Sequence, residues 1–343
     1  MDQRTSINRI SFRRKPGQFV RPVVLLLSFF ALLLAFIVAW SFVTADRVMR
    51  QEPLPLVTFN SNIMPAFSVV SFPSLDEQTV LYGWYMTTPQ KAVSTIIFVH
   101  DQGKNRLQFG LETPVLYNHL VDLGFNVLSF DLRNTGQSDG HLSGFGYAEW
   151  ADVIAAIRFA RRHAATSDVL LYGFGTGVSA ALIAWDQLPA PDEKRDQLTE
   201  AIQKLDFDQS YVIGMILDAP AVSPDDAIKA LYRDKGWFDR NILALTVPYA
   251  VRLSAGNIGR VNHNSILGAC HRPVCLIRYA EDTKLTAETS LSVTSERERL
   301  HPDLTLVSVI EQAGHADGFL TGQTDYLKAL DRYLNRYFLQ TGP

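Results

Sequence analysis

Short apolar runs rich in Val, Ile and aromatic residues alternate with helical patterns over most of the chain. The strand-like runs number eight and lie at 68–71, 79–86, 95–100, 126–131, 168–173, 211–217, 274–279 and 305–310. The helix-like runs lie at about 106–122, 147–163, 176–187, 285–299 and 322–339. Several strand-like runs are apolar at almost every position, which is typical of a parallel sheet with helices on both faces. The repeated order of strand and helix therefore predicts an α/β fold.

Two segments interrupt this alternation. Residues 186–210 are polar and acidic, and we interpret them as a helical insertion at the surface. Residues 221–272 hold mixed helical patterns between two predicted strands, where a cap over a pocket would be inserted. We expect Trp237 and Phe238 to belong to the core of this cap rather than to a substrate site.

Before the domain, residues 23–43 read VVLLLSFFALLLAFIVAWSFV, which is 21 residues without a charge. A helix of that length spans about 31 Å, the thickness of the hydrocarbon core of a bilayer. A cleaved signal peptide is the alternative, because Val43-Thr44-Ala45 resembles a cleavage site. The apolar region of a signal peptide is normally shorter, about 7 to 15 residues. We therefore expect an uncleaved transmembrane anchor.

The charge distribution suggests which side of the membrane the domain occupies. The first 45 residues hold six basic side chains against Asp2, so they carry +5 and leave −8 for the rest of a chain whose net charge is −3. Positive charge before the span predicts a cytoplasmic amino terminus. We expect a tail at 1–22, the anchor at 23–43, a tether at 44–66, and a domain at 67–343 that is periplasmic or extracellular. The acidic domain argues against nucleic acid as a partner.

The cysteine and metal-ligand patterns indicate neither a disulfide framework nor a metal site. Cys270 and Cys275 are the only cysteines, too few for a disulfide framework, and we expect both to be unpaired. No cluster of His, Cys and carboxylate residues has metal-ligand spacing, so we predict no metal and no cofactor.

Hydrolytic chemistry on such a sheet needs a nucleophile on a sharp turn from strand to helix, a base, an acid that orients the base, and backbone N–H donors for an oxyanion. The expected order along the chain is Ser, then Asp or Glu, then His. Asp282 follows the predicted strand at 274–279, and His315 follows the one at 305–310. In the stretch LYGFGTG, at 171–177, Gly175 stands where the serine is expected.

Five motifs occur in a fixed order: FVHDQG, DLRNTGQSDG, GFGTG, CHRPVCLIRYAED and GHADGF. With them, the chain from about residue 67 onward resembles the α/β-hydrolase superfamily. Within it, the chain is similar to membrane-anchored or secreted bacterial proteins of the serine aminopeptidase or lysophospholipase-like kind. The resemblance implies a mostly parallel eight-stranded sheet, helices on both faces and a helical cap.

The resemblance also assigns roles to particular residues. It makes Asp282 the acid and His315 the base of a catalytic triad. It assigns the oxyanion hole to the backbone N–H groups of Gln102 and Thr176. Asp131 and Arg133 match a structural pair beneath the turn after the fourth strand, and we expect His100 to be structural.

Three positions depart from the pattern of the superfamily. Its His-Gly pair is His100-Asp101 here, and the glycine usual after Arg133 is Asn134. The third departure is Gly175, at the nucleophile position. Glycine adopts the strained backbone of such a turn at little cost, so the turn is kept while the hydroxyl is lost. Asp101 adds negative charge where a hydrolase stabilises developing negative charge, which independently suggests lost catalysis.

No neighbouring side chain is expected to replace the serine. Thr176 begins the helix, and we expect its side chain to point away from the site. Val178 is β-branched and stands where a shifted turn would need a glycine, and Ser179 lies one helical turn away.

We therefore expect a weakened or inactive serine hydrolase that binds a small apolar or acyl-bearing ligand, or a protein partner. The alternative is an active hydrolase of esters or peptides, resembling an esterase, a lipase or an aminopeptidase. It would use water activated by His315, or another nucleophile.

Overall fold

Within the part of the chain that the structure describes, eight strands form one sheet. The structure is a computed structural model and describes residues 20–50, 52, 54–257, 259–312 and 314–339. The strands are β1 (Phe67–Pro73), β2 (Val80–Met86), β3 (Thr95–Val99), β4 (Asn126–Phe130), β5 (Val169–Phe174), β6 (Val212–Asp218), β7 (Val274–Tyr279) and β8 (Thr305–Ile310). Their order is β1-β2-β4-β3-β5-β6-β7-β8. Only the pairings of β2 with β1 and with β4 are antiparallel. The prediction of a mostly parallel eight-stranded sheet is confirmed.

The described residues form eleven α-helices. They are α1 (Val20–Met49), α2 (Thr113–Asp122), α3 (Trp150–His163), α4 (Thr176–Gln187), α5 (Glu200–Gln203), α6 (Pro224–Ala230), α7 (Ala244–Ser254), α8 (His263–Ala269), α9 (Ala287–Leu300), α10 (Gly318–Thr321) and α11 (Gln323–Leu334). Side chains of α3, α4, α8 and α9 fill the core on one face, and those of α2, α10 and α11 fill the core on the other. Every residue of β3, β4 and β5 is buried, because each strand is covered on both sides.

The helix expected at 106–122 begins only at Thr113. Before α2 the chain forms turns and a short 3₁₀ helix, Gly110–Glu112, and the backbone N–H of Arg106 donates to the carboxylate of Asp131. Pro114 then occupies the first turn of α2, where no N–H is needed.

The two interrupting segments differ from each other in helix content. In the segment 186–210, the region after α4 contains only short turns and the four-residue α5, so the expected helical insertion is largely irregular. The segment 221–272 forms α6, α7 and α8 and lies between β6 and β7. A π-helical turn, Asp239–Leu243, leads directly into α7. Trp237 is 68% exposed, so the expectation that it belongs to the cap core is wrong, because Tyr232, Leu243 and Val247 fill that space.

Helix α1 is long and apolar enough to cross a membrane, a property that a signal sequence near the amino terminus shares. Its last turns do not form a free tether, contrary to expectation. Ser41, Thr44, Ala45 and Met49 are buried and lie on one face of α1, at spacings of three and four residues. The carboxyl-terminal end of α1 is therefore attached to the cap, where the Ser41 hydroxyl donates to Thr246 of α7 and Ala45 and Met49 enter the apolar cluster of the cap.

Candidate active site

The turn between β5 and α4 has the sharp geometry expected at 171–177. Gly175 adopts φ 52° and ψ −115°, in the left-handed half of the backbone map. A Cβ at Gly177 would lie 2.1 Å from the carbonyl oxygen of Val99, so the helix approaches the neighbouring strand as closely as a backbone can. The N–H of Gly175 donates to the carbonyl oxygen of Asp218 at 2.9 Å, which fixes the turn to the end of β6.

Asp282 and His315 meet at the carboxyl ends of β7 and β8. The Nδ1 atom of His315 lies 3.0 Å from both carboxylate oxygens of Asp282. The backbone N–H groups of Lys284 and Leu285 donate to Asp282 Oδ1 at 2.8 and 2.7 Å, which fixes the carboxylate. Both side chains of the pair are buried. The sequence-predicted acid and base are thus brought together in hydrogen-bonding geometry.

The side chain of Asp101 lies between the two groups that were expected to form the oxyanion hole. Its Oδ1 atom accepts the backbone N–H of Gln102 at 2.9 Å and that of Thr176 at 2.8 Å. It also accepts the hydroxyl of Thr176 at 2.9 Å. The two N–H groups therefore converge as expected, but the carboxylate of this chain already occupies the point between them.

Gly175 and Asp101 are also in direct spatial competition. A Cβ added at Gly175 would lie 2.4 Å from Asp101 Oδ1 and 2.5 Å from its carboxyl carbon. Because these distances are far below van der Waals contact, a serine at this position requires the Asp101 side chain to move.

The carboxyl group of Asp101 is ionised at neutral pH. Burial alone would raise its pKa, but the charges of Lys284 and His315 and the hydrogen bonds from Thr176 hold the pKa at about 2. The ammonium group of Lys284 lies 3.1 Å from Asp101 Oδ2. The site consequently contains a permanent anion and its counter-ion.

Two expectations about neighbouring residues are wrong. Thr176 does not point its side chain away from the site, because its hydroxyl bridges the N–H of Gln102, at 2.7 Å, and Asp101 Oδ1. Asp131 and Arg133 do not pair with each other. Each has a different partner: the Asp131 carboxylate lies 2.6 Å from Arg106, and the Arg133 guanidinium lies 2.7 Å from the Asp152 carboxylate.

His100 and Asn134 have structural positions. His100 is buried, and its Nε2 atom accepts the N–H of Leu132 at 3.0 Å. Asn134 replaces the usual glycine at a left-handed position, φ 57°, which asparagine tolerates better than most residues do.

A cavity of about 130 Å³ lies above Asp101 and His315. Its apolar wall includes Phe145, Leu231 and Leu285. A wider cleft of about 320 Å³, on the cap side, shares Ala230, Lys284 and Leu285 with this cavity. The inner cavity can hold a short apolar group against a polar floor.

Sequence reasoning missed Lys284 as a part of the site. It stands two residues after Asp282, so its position on the loop was available from the sequence, but its reach toward Asp101 depends on the fold. Among the described residues, no group of three or more His, Cys, Asp or Glu side chains could hold a metal ion.

A scan against protein-family models finds no match for this sequence, and no curated protein matches it. Solved structures do resemble the chain. An esterase from Pyrococcus furiosus superimposes with a TM-score of 0.62 at 17% identity, over 84% of this chain and 99% of that one.

Two further structures have the same architecture. For an α/β hydrolase from Penicillium sp. sh18, the TM-score is 0.54 at 16% identity, over 80% of this chain and 99% of the other. For an esterase from Exiguobacterium antarcticum it is 0.51 at 16% identity, over 79% of this chain and all (100%) of the other. At such identities the likeness concerns the fold.

Proposed function

We propose that this chain, which has the α/β-hydrolase fold, is a serine hydrolase that has lost most or all of its catalysis and acts by binding a small apolar or acyl-bearing ligand. The observation that carries the proposal is the ionised carboxylate of Asp101, held between the N–H groups of Gln102 and Thr176 and against Gly175. The second candidate for a binding role is a protein partner that binds at the cap.

Hydrolysis by a serine mechanism needs a hydroxyl on the turn and vacant donors for the oxyanion. Here the turn has no hydroxyl, and Asp101 takes both donors. In a well-studied serine protease, loss of the nucleophile costs about 2 × 10⁶ in kcat. Loss of one oxyanion donor costs about 10² to 10³. The two defects act on the same transition state, so only a residual activity is expected.

The activated-water route is also disfavoured by this arrangement. Water that replaced the serine hydroxyl would have to lie next to Gly175, in the space that the Asp101 carboxylate takes. The carbonyl oxygen of an ester would gain negative charge beside an existing anion, which raises rather than lowers the barrier. The alternative of an active ester or peptide hydrolase therefore requires Asp101 to leave its place.

The retained pair of Asp282 and His315 has a binding role in this proposal. The His315 side chain is one wall of the inner cavity, and Asp282 fixes its orientation. The cavity lining thus combines the polar side chains of His315 and Lys284 with the apolar side chains of Phe145 and Leu231. A ligand with a short acyl chain and a polar head would match this combination of apolar and polar lining residues.

We further propose that α1 anchors the protein in a membrane, with the amino terminus in the cytoplasm and the domain outside it. The basic residues before the apolar stretch support this orientation. Protease protection of tagged termini, together with the mass of the mature protein, tests the orientation and the cleaved-signal alternative in one preparation.

The catalytic part of the proposal is tested on the purified, membrane-reconstituted protein with a fluorophosphonate probe and short-chain p-nitrophenyl esters. We expect neither covalent labelling nor turnover above the rate of the His315→Ala variant. Labelling would reveal another nucleophile, and turnover without labelling that His315→Ala abolishes would establish the water route. Either result would overturn the proposal.

A further inference from the structure

The two oxygen atoms of the Asp101 carboxylate have different surroundings. Oδ1 accepts the backbone N–H groups of Gln102 and Thr176 at 2.9 and 2.8 Å and the hydroxyl of Thr176 at 2.9 Å. Oδ2 lies 3.1 Å from the ammonium group of Lys284, whose side chain is 53% exposed. One oxygen is therefore fixed by three donors, whereas the other has a counter-ion on a long and solvent-accessible side chain.

The carboxylate also lies where the side chain of a nucleophile would begin. Its carboxyl carbon is 2.5 Å from the position of a Cβ at Gly175, on the turn that carries the nucleophile in serine hydrolases of this fold. Asp101 and His315 line the same inner cavity of about 130 Å³. A group bound in that cavity would thus meet a carboxylate where a serine enzyme presents its hydroxyl.

An ionised carboxylate is one of the nucleophiles that enzymes use in covalent catalysis. Burial alone would raise the pKa of Asp101, but the charges of Lys284 and His315 and the hydrogen bonds from Thr176 hold the pKa at about 2. Attack of this carboxylate on an ester gains nothing, because the mixed anhydride that forms is more reactive than the ester. Displacement of a leaving group from a saturated carbon atom needs neither a serine hydroxyl nor an oxyanion hole for the substrate.

The donors around Oδ1 suit the second half of such a reaction. When Oδ2 has displaced the leaving group, an ester joins Asp101 to the alkyl group, and Oδ1 is its carbonyl oxygen. Water that attacks the carboxyl carbon of this ester places negative charge on Oδ1, between the N–H groups of Gln102 and Thr176. Both distances lie within the range of about 2.7 to 3.1 Å that oxyanion donors require. The donors that are closed to a substrate are therefore in place for an ester of Asp101.

The base that this water needs is present in the same cavity. The Nδ1 atom of His315 lies 3.0 Å from both oxygens of Asp282, which leaves Nε2 for a water molecule. The imidazole can take a proton from water and return it to a leaving alcohol, while the carboxylate of Asp282 stabilises the imidazolium between the two steps. The retained pair thus has a chemical use that requires no serine.

We propose that Asp101 is a catalytic nucleophile toward short primary alkyl electrophiles that carry an anionic leaving group. Oδ2 forms a bond to the alkyl carbon while the bond to the leaving group breaks, and the leaving group departs with the electron pair. Water then attacks the carboxyl carbon and gives a proton to His315. The bond from this carbon to the alkyl oxygen breaks, the alkoxide takes the proton from His315, and the restored carboxyl group releases its proton to solvent. For an alkyl halide, the sum is conversion of halide and water into an alcohol, a halide ion and a proton.

The proposal rests on the cavity of the proposed function and names a class of ligand for it. The loss of catalysis proposed above concerns acyl transfer to a serine, whereas this reaction is a substitution at a saturated carbon atom. The side chains of Phe145 and Leu231 line the cavity and would contact the alkyl chain. Among the described lining residues, Lys284 is the permanent cation that is available to the leaving anion.

Bromide release from 1-bromobutane by the purified, membrane-reconstituted protein tests the nucleophile. We expect release by the wild type, and no release above the rate without protein by Asp101→Asn. The amide oxygen of that variant keeps an acceptor between the two N–H groups but carries no charge. Asp234→Asn, at a side chain of the cap that is 85% exposed, is the matched control and should release bromide at the wild-type rate. No release by the wild type, or equal release by Asp101→Asn, would overturn the proposal.

The covalent step has a readout of its own. His315→Gln should slow hydrolysis of the ester by about 10² to 10⁴, so the peptide that contains Asp101 should gain the mass of one butyl group in that variant. During a single turnover of the wild type in heavy-oxygen water, the heavy oxygen should enter Asp101 and the butanol should carry the ordinary oxygen. Heavy oxygen in the butanol, with no butyl-bearing peptide in His315→Gln, would show direct displacement by water and would overturn Asp101 as the nucleophile.

Turnover of p-nitrophenyl esters is measured in the same preparation. Ester turnover that His315→Ala abolishes would overturn the proposed loss of serine-type catalysis, whatever the result with 1-bromobutane. Absent ester turnover together with absent bromide release would overturn the reaction of Asp101 alone.

Discussion

The carboxylate of Asp101 occupies the space in which a side chain at Gly175 would begin, with only 2.4 Å between Asp101 Oδ1 and the position of a Cβ at residue 175. The two residues lie on different loops, after β3 and after β5, and both depart from the pattern of the superfamily. In the structure they form one unit, because the glycine leaves room for the carboxylate and the carboxylate satisfies the donors that a substrate oxyanion would use.

The first prediction concerns the stability of this unit. Gly175→Ala should lower the free energy of unfolding by about 1 to 3 kcal/mol from backbone strain alone, with more from the collision with Asp101. Thermal unfolding in detergent measures the effect. Gly236→Ala is the matched control, since a Cβ there meets no atom within 4 Å. Equal melting temperatures for the two variants would contradict the proposed competition for space.

The second prediction is that removal of the Asp101 side chain creates an anion site. In Asp101→Ala the N–H groups of Gln102 and Thr176 and the ammonium of Lys284 lose their shared acceptor. Acetate should then stabilise the variant in a saturable manner, by about 2.7 kcal/mol at one hundred times its Kd.

Melting curves over an acetate series measure this stabilisation. Asp101→Asn is the control, because its amide oxygen still fills the space between the two donors. If acetate stabilised the wild type or Asp101→Asn as much as it stabilises Asp101→Ala, the side chain of Asp101 would not be what fills the site.

The third prediction concerns pH and Asp218, at the end of β6. Burial raises the pKa of this carboxyl to about 7, although the hydroxyls of Tyr326 and Tyr279 oppose the shift. An unfolded chain loses the proton near its ordinary pKa of 3.8, whereas the folded chain keeps it until about pH 7. The stabilising contribution of Asp218 is therefore complete below about pH 4 and falls as the pH rises to about 7.

Asp218→Asn removes this titration while it keeps the size of the side chain. Relative to the wild type, its free energy of unfolding should rise by a few kcal/mol between about pH 4 and pH 7 and then stay level. Denaturant titration at a series of pH values measures the difference. Asp196→Asn, on the exposed segment before α5, should show no such trend. If the difference in free energy of unfolding between Asp218→Asn and the wild type did not change with pH, the raised pKa of Asp218 would be contradicted.

The fourth prediction concerns the contact between anchor and cap. Met49→Ala removes a fully buried side chain from the cluster that holds α7, at a cost of about 2 to 5 kcal/mol. Hydrogen exchange of the α7 amides should become faster. Phe42→Ala, at a side chain that is exposed on α1, should leave exchange in α7 unchanged. The same exchange rates in both variants would mean that α1 does not support the cap.

The sequence predicted the sheet well because its strands are apolar on both faces and are separated by clear turn and helix patterns. It also predicted the meeting of Asp282 and His315, since both follow strands whose carboxyl ends share one edge of the sheet. These features depend on local pattern and on chain order, which a single sequence carries.

The remaining features depend on contacts between distant residues. Ser41, Thr44 and Ala45 are small side chains at the end of an apolar helix, and nothing in their local pattern distinguishes a packed face from a lipid-exposed one. The place of the Asp101 carboxylate depends on its rotamer and on Thr176, whose hydroxyl was expected to point elsewhere. The exposure of Trp237 depends on which other side chains fill the cap.

The central claim is that Asp101 and Gly175 together close a serine-hydrolase site. Turnover of p-nitrophenyl acetate by four proteins tests it most directly: the wild type, Gly175→Ser, Asp101→Gly and the double variant. Only the double variant regains both the hydroxyl and the vacant donors, so its turnover should exceed that of the other three by at least about 10²-fold and should be lost with His315→Ala. Comparable turnover by the wild type or by Gly175→Ser alone would contradict the claim.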